Sequence, residues 1–254
     1  MTTVPTPTQS LEAIRRLLSL WDGAATSVNV QILDGGILRG IAIRVQVDHA
    51  AALTESILLL NEHGMNIQTV PLVRMTMECA VTAAWLAITP YSADAAAHEG
   101  AKAHERLIQA MTEMAGGSSD ADAGGPRKPI NESAVFASGE AQHFEQRCRA
   151  LQGGEWIYGY YRLLSKFSHA GTGLLDVYLQ QSEPSDAMPN GITFADLNRF
   201  PFTNIALGLQ AVMLHIALTA WDEVSEGHPQ GETLTGIANE LGMSTILQRA
   251  KPFA

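Results

Sequence analysis

The segment Glu155-Trp156-Ile157-Tyr158-Gly159-Tyr160-Tyr161-Arg162-Leu163-Leu164-Ser165-Lys166-Phe167-Ser168-His169-Ala170 carries the residue types best suited to chemistry. Read as a helix that ends near Gly171, it turns through about 100° per residue. Tyr158, Arg162, Ser165 and His169 then share one narrow stripe, while Trp156, Tyr160, Leu163 and Phe167 fall on the opposite, anchoring side. A guanidinium offers fixed donors to a phosphate or carboxylate, and imidazole is the side chain whose ordinary pKa suits proton transfer near neutral pH. Arg162 and His169 are therefore the candidate catalytic pair, with Tyr158 and Ser165 as hydrogen-bonding support. The bland reading is a structural polar network in which Arg162 pairs with a core carboxylate and Ser165 and His169 cap the helix end.

A second pair supports the first. Arg74 and Glu78 sit four residues apart in Val70-Pro71-Leu72-Val73-Arg74-Met75-Thr76-Met77-Glu78, on a face that Val81 and Trp85 continue, so the charges point inward and need partners. They either form an intrahelical pair that fixes register, or Glu78 reaches across the bundle to Arg162 or His169.

Other polar groups are weaker candidates. His98-Glu99 and His104-Glu105 repeat every six residues, which does not bring both histidines to one helix face, so no metal site is expected there. His215, Thr219 and Asp222 share a stripe that reads as a satisfied core histidine with its neighbours. Arg147, Arg149, Arg162 and Lys166 gather positive charge around the central segment and could form a local anion pocket. No P-loop, dinucleotide-binding glycine fingerprint, His-Glu-x-x-His, paired CxxC or nucleophile elbow occurs, and no metal or nucleotide cofactor is expected.

The elements that must hold these residues read as helices. One is expected from an N-cap at Ser10 to Trp21, with Leu11, Ile14, Leu17 and Leu18 inward; one over about residues 37–61 with Ile41, Val45, His49, Ala52, Ile57 and Leu60 as its stripe. A third runs from Pro71 in its first turn to Pro90, and a polar one from a cap at Ser92 to Met114. Further helices are expected over about 132–151, 155–170, 203–226 and 233–241, with an irregular connection after His169 and only a weak strand pattern at Ser27–Leu33. The sum is all-α, a single bundle of about six to eight helices over residues 10–254, with a disordered arm at 1–9 and a flexible Gly/Ser/Asp loop at about 116–130.

Composition narrows the partners. With 46% hydrophobic residues the chain can bury a sizeable core, and a net charge of −10 leaves no broad footprint for duplex DNA, RNA or an anionic membrane. The apolar runs Val70–Ile88 and Ile205–Trp221 hold Arg74 and Glu78, and Gln210 and His215, which favours buried helices over membrane spans. The N-terminus lacks the pattern of a secretory signal, and Cys79 and Cys148 lack framework or metal spacing, so free thiols in a reducing cytoplasm are expected.

Leu72-Val73-Arg74-Met75-Thr76-Met77-Glu78 followed by Tyr161-Arg162-Leu163-Leu164-Ser165-Lys166-Phe167-Ser168-His169 resembles an uncharacterised bacterial helical family with an Arg-x-x-x-Glu helix and a later Tyr…Leu-Ser…His helix. That family is similar in turn to the HEPN (higher eukaryote and prokaryote nucleotide-binding) superfamily, over about residues 40–225. The resemblance implies a HEPN-like core, a homodimer, and a metal-independent endoribonuclease of a defence or toxin system in which Arg162 and His169 assist attack of a ribose 2′-hydroxyl on its phosphate. The Arg-x6-His spacing and Leu163 after the arginine depart from active members. They open a second reading, a non-catalytic module that binds a small anionic ligand or a protein partner on the same face.

Overall fold

The computed structural model describes residues 5–24, 36–116, 139–186, 188–195, 200–243 and 247–250. The weak strand pattern at Ser27–Leu33 and most of the loop expected at 116–130 lie outside the described residues. Helix α1 (Pro7–Ala24) starts earlier than expected, within the arm assigned to residues 1–9. Its start is fixed by a reciprocal cap: the Thr6 N–H donates to Gln9 Oε1 at 2.8 Å and the Gln9 N–H to Thr6 Oγ1 at 3.3 Å, with Pro7 supplying helical φ at the first position. Ser10, the expected cap, is instead buried one turn inside the helix, with its Oγ unpartnered among the described residues.

Helix α2 (Gly36–Glu62) has the expected span but a different inner face. Ile43, Val47, Ala50, Ala51, Thr54 and Ile57 are buried, whereas Ile41 and Val45 stay 54% and 56% exposed. This helix is apolar on more than one side, so its periodicity alone does not choose which stripe faces the core.

After a 3₁₀ turn at Ile67–Thr69 comes α3 (Val70–Ile88), which packs on α2 and supplies the centre of the core with Val73, Met77, Ala80, Ala84 and Trp85. Its C-terminal carbonyls are met by a buried arginine: Arg39 Nε donates to Leu86 O at 2.6 Å and Nη2 to Ala87 O, a cation placed at the negative end of the helix dipole. Helix α4 (Ser92–Met114) follows Tyr91, which is left-handed at φ 56°. Ser92 does not cap it. Its hydroxyl donates to Leu86 O at 3.2 Å and ties the start of α4 to the end of α3.

The single helix expected over about 132–151 is interrupted in its described part. Residues 139–142 are helical, His143 is extended at φ −122° and ψ 122°, and α5 spans Phe144–Ala150. The break lets the two pieces face different partners. Glu140 accepts from the Trp85 indole at 2.7 Å and from both terminal nitrogens of Arg249 at 2.5 and 3.0 Å, while Arg147 reaches α3. Gly154 follows because a Cβ there would lie 2.1 Å from the Cys148 carbonyl oxygen.

Helix α6 (Glu155–Ser168) lies across α3 and buries Ile157, Leu164 and Phe167. The connection after it is not irregular throughout. Helix α7 (Thr172–Tyr178) leads into a two-stranded antiparallel hairpin, β1 (Leu179–Gln181) and β2 (Ile192–Phe194), with Gln180 opposite Thr193. Seven helical residues and three-residue strands carry too few periods to announce themselves in sequence.

Helix α8 (Thr203–Glu223) runs through the interior against α1, α2 and α3, and α9 (Gly231–Leu241) closes the bundle, ending on Gly242 at φ 68°. Trp221 of α8 meets Trp21 of α1 edge to face at 6.0 Å, with the Arg44 guanidinium over both rings. The architecture is all-α, the hairpin apart. Among the described residues two helices are long and apolar enough to cross a membrane, Ile67–Ile88 and Thr203–Glu223, and more than half of each apolar window is buried in the bundle.

Candidate functional site

On α6, Ile157, Tyr161, Leu164 and Ser168 recur at helical spacing on the side that meets α3. With Ile157 and Leu164 buried as anchors, the Tyr161 ring between them is laid over the one turn of α3 that carries Arg74 and Glu78. The Tyr161 hydroxyl donates to Glu78 Oε1 at 2.8 Å and accepts from Arg74 Nη2. The same guanidinium stands 4.4 Å from the Tyr161 ring centroid and 3.6 Å from the Glu78 carboxylate. Burial, seconded by the Glu78 carboxylate, pushes the Tyr161 phenol up, so the hydroxyl keeps its proton at neutral pH and serves as the donor to Glu78.

Helix α6 stops at Ser168, and His169 is extended at φ −113° and ψ 146°. That turn takes its imidazole off the helical stripe and onto α3, where Nε2 lies 3.0 Å from Arg74 Nη1. A guanidinium only donates, so in this contact Nε2 is the acceptor. The result is one continuous chain: Glu78 carboxylate, Tyr161 hydroxyl, Arg74 guanidinium, His169 imidazole.

A second layer stands behind it. Thr82 Oγ1 donates to Glu78 O at 2.7 Å and accepts from Arg147 Nη1 at 2.7 Å. Burial holds the Arg147 pKa below its ordinary value, and the Glu78 carboxylate works against that shift. Glu78 thus sits between two arginines. Nε of Arg74 and Nε of Arg147 are both buried without a partner among the described residues. The flanking thiols are inert: burial pushes Cys79 up to about 11 and Cys148 up to about 12.

The expected residues divide accordingly. Arg74, Glu78 and His169 come together. Arg162, expected to share a stripe with His169, is exposed and has no hydrogen bond or ion pair among the described residues; His169 leaves that stripe because the helix ends one residue before it. Ser165 donates to the Tyr161 carbonyl at 2.7 Å, so its hydroxyl is spent on its own helix. Tyr158 is half-buried and nearly parallel to Tyr161, 18° between planes and 6.2 Å between centroids. Glu78 reaches Tyr161, and His169 is reached by Arg74. On the supposed anchoring side Phe167 is buried, in contact with Phe200 and Phe202, while Trp156 and Tyr160 are exposed.

Tyr161 and Thr82 are members of the cluster that the stripe of charged and polar residues did not single out, whereas Arg147 stood in the group of positive charges. The signal for Tyr161 is its place between Ile157 and Leu164 on the buried face. Beside the cluster, α5 and α6 enclose an open cleft of about 550 Å³, with Tyr161 forming part of its wall.

Elsewhere, His215 is a satisfied core histidine. Its Nε2 donates to Leu234 O at 2.9 Å, Nδ1 lies 3.3 Å from Thr219 Oγ1, and burial lowers its pKa. Among the described residues no group of three or more His, Cys, Asp or Glu side chains comes together in a way that could hold a metal ion.

Fold and site together define a helical bundle with a tyrosine-centred Arg–Glu–His cluster where one helix crosses the central one. The chain belongs to DUF5677, a family of unknown function whose model matches residues 47–187, a stretch that contains every residue of the cluster. No curated protein and no solved structure matches it.

Proposed function

We propose that the cluster is the centre of a HEPN-like, metal-independent ribonuclease in which Arg74, rather than Arg162, is the cation paired with His169. The observation that carries this reading is the 3.0 Å approach of Arg74 Nη1 to His169 Nε2. It places an unprotonated imidazole nitrogen beside a fixed cation at the exposed edge of the bundle. When a phosphate oxygen takes over the Arg74 donor, Nε2 is released to accept the proton of a ribose 2′-hydroxyl. The 2′-oxygen then attacks phosphorus, the guanidinium stabilises the charge that builds on the phosphoryl oxygens, and the 5′-oxygen leaves with a proton from solvent. The products are a 2′,3′-cyclic phosphate and a 5′-hydroxyl. Glu78 and Tyr161 hold Arg74 in place, and exposed Arg162 supplies a contact to a neighbouring phosphate. Homodimeric assembly belongs to this proposal through the family resemblance, and a cytoplasmic location through the spacing of Cys79 and Cys148.

The experiment is incubation of single-stranded RNA with the protein in EDTA, with cyclic-phosphate ends as the readout. Cleavage that falls at least a hundredfold in His169→Ala supports the reading; cleavage equal in wild type and His169→Ala refutes it.

A second reading is a non-catalytic binding module for a small anionic ligand. It is favoured by the way Glu78 and Tyr161 already occupy Arg74, while Arg162 stands exposed and, among the described residues, unpaired. A nucleotide that raises the melting temperature of the wild type but not of Arg162→Ala, with no RNA turnover, selects it.

A further inference from the structure

Tyr161 has two surroundings. Its hydroxyl belongs to the Glu78–Arg74 chain, and its ring also lines the open cleft of about 550 Å³ between α5 and α6. Phe144 and Tyr158 line the same cleft, and they are joined along its wall by the side-chain amides of Gln142 and Gln146 and by Arg149. We propose that this cleft seats an unpaired nucleobase of single-stranded RNA and so delivers the adjoining phosphate to Arg74 and His169. The inference rests on the reading of the cluster as an RNA-directed site.

Three observations point to a base. First, aromatic residues make up only 6% of the chain, yet three of them gather here, with Phe144 4.3 Å from Tyr161 and Tyr158 nearly parallel to it. Half-buried rings of this kind offer a flat apolar face that a base can stack on, at roughly a five- to hundredfold gain in affinity per base. Second, Gln142 and Gln146 are exposed; the Gln142 amide bonds the Glu99 carboxylate, and the Gln146 amide carries both donors and an acceptor, the complement of a base edge. Arg149 stands exposed at the mouth, where its ion pair with Glu145 at 2.6 Å can exchange for a phosphate. Third, the net charge of −10 denies the protein the broad counterion-release term that drives tracking of a phosphate backbone. Affinity for RNA has to come from the bases, and a base is free to enter a cleft only when it is unstacked.

The test uses 2′-O-methyl hexaribonucleotides, which lack the attacking hydroxyl and cannot be cleaved, alongside an abasic oligomer of the same length and charge. Binding is followed by fluorescence anisotropy. The base-bearing oligomer is expected to bind about tenfold tighter than the abasic one. Tyr158→Ala and, separately, the exposed Gln146→Ala are expected to remove most of that advantage while leaving the abasic affinity in place, with Tyr158→Phe restoring it and melting curves confirming that each variant folds. Equal affinity for the two oligomers, equal weakening of both by the variants, or no binding of either overturns the proposal. Base-dependent binding without cleavage of natural RNA removes the ribonuclease reading and leaves the cleft. Cleavage with base-independent binding does the reverse.

Discussion

Replacing Tyr161 by phenylalanine removes a single oxygen from the cluster and leaves its packing alone. The ring keeps its contact with Phe144 at 4.3 Å and its place under the Arg74 guanidinium at 4.4 Å, so no cavity is opened. What disappears is a 2.8 Å bond to the Glu78 carboxylate and the bond accepted from Arg74 Nη2. A hydrogen bond to a charged group contributes roughly 1.5–3 kcal/mol. Both charges here are part-exposed, 21% for the Arg74 side chain and 33% for that of Glu78, so water recovers a share of each loss. A net cost of about 1–3 kcal/mol follows, which for a chain of this size corresponds to a fall of roughly 3–9 °C in melting temperature. Calorimetry or circular dichroism at neutral pH reads it. A cycle with Glu78→Gln should show that the two changes are not additive, with a coupling of about 1 kcal/mol or more. A melting temperature unchanged to within about a degree, or additive effects, would refute the picture of Tyr161 as the junction between Glu78 and Arg74.

Two further outcomes follow from buried groups. His215 is neutral in the fold with its pKa pushed below the ordinary 6.5, so the unfolded chain binds its proton first. Its contribution is therefore complete above about pH 6.5 and is lost as pH falls toward the lower folded value. Wild-type melting temperature should drop more steeply below about pH 6.5 than that of His215→Gln, and parallel curves would contradict the assignment. Asp222, whose pKa is raised by burial, acts at the acidic end of the range and in the opposite sense. Cys79 and Cys148, buried and with pKa pushed up to about 11 and about 12, should resist a thiol reagent such as Ellman's in the native protein and react in denaturant with two thiols per chain. Native labelling within minutes would show that the α3–α5 contact opens.

The parts of the fold legible in the sequence are those with strong local chemistry. Pro71 and Pro90 bracket α3, which lies where the pattern puts it, and Gly153-Gly154 announces the start of α6, whose end comes at Ser168 and not near Gly171. The inner face of α2 was not legible, because Ile41 and Val45 are as apolar as Ile43 and Val47 and only the neighbours decide which pair is buried. The start of α1 was misplaced for a different reason: Ser10 is an acceptable cap, but Thr6 with Gln9 forms a better one. At the site, the inward pointing of Arg74 and Glu78 was readable from their apolar neighbours. The partnership of Arg162 with His169 was not, since it extends a helical rotation beyond Ser168, where the backbone is extended. Tyr161 entered only as part of the family motif, because a tyrosine on a buried face reads as packing, and its hydroxyl becomes informative only when α3 is placed opposite it.

Metal-free RNA cleavage tests the pairing of Arg74 with His169 most directly. Wild type, His169→Ala, Arg74→Lys and Arg162→Ala would be compared in EDTA on one single-stranded RNA. Lysine keeps the charge and loses the two-pronged geometry that serves Tyr161 and His169 together. Cyclic-phosphate products are expected from the wild type, with a loss of at least a hundredfold in His169→Ala and Arg74→Lys and a smaller loss, carried by KM, in Arg162→Ala. Cleavage that survives in Arg74→Lys and vanishes in Arg162→Ala would contradict the catalytic pairing, as would no cleavage by the folded wild type.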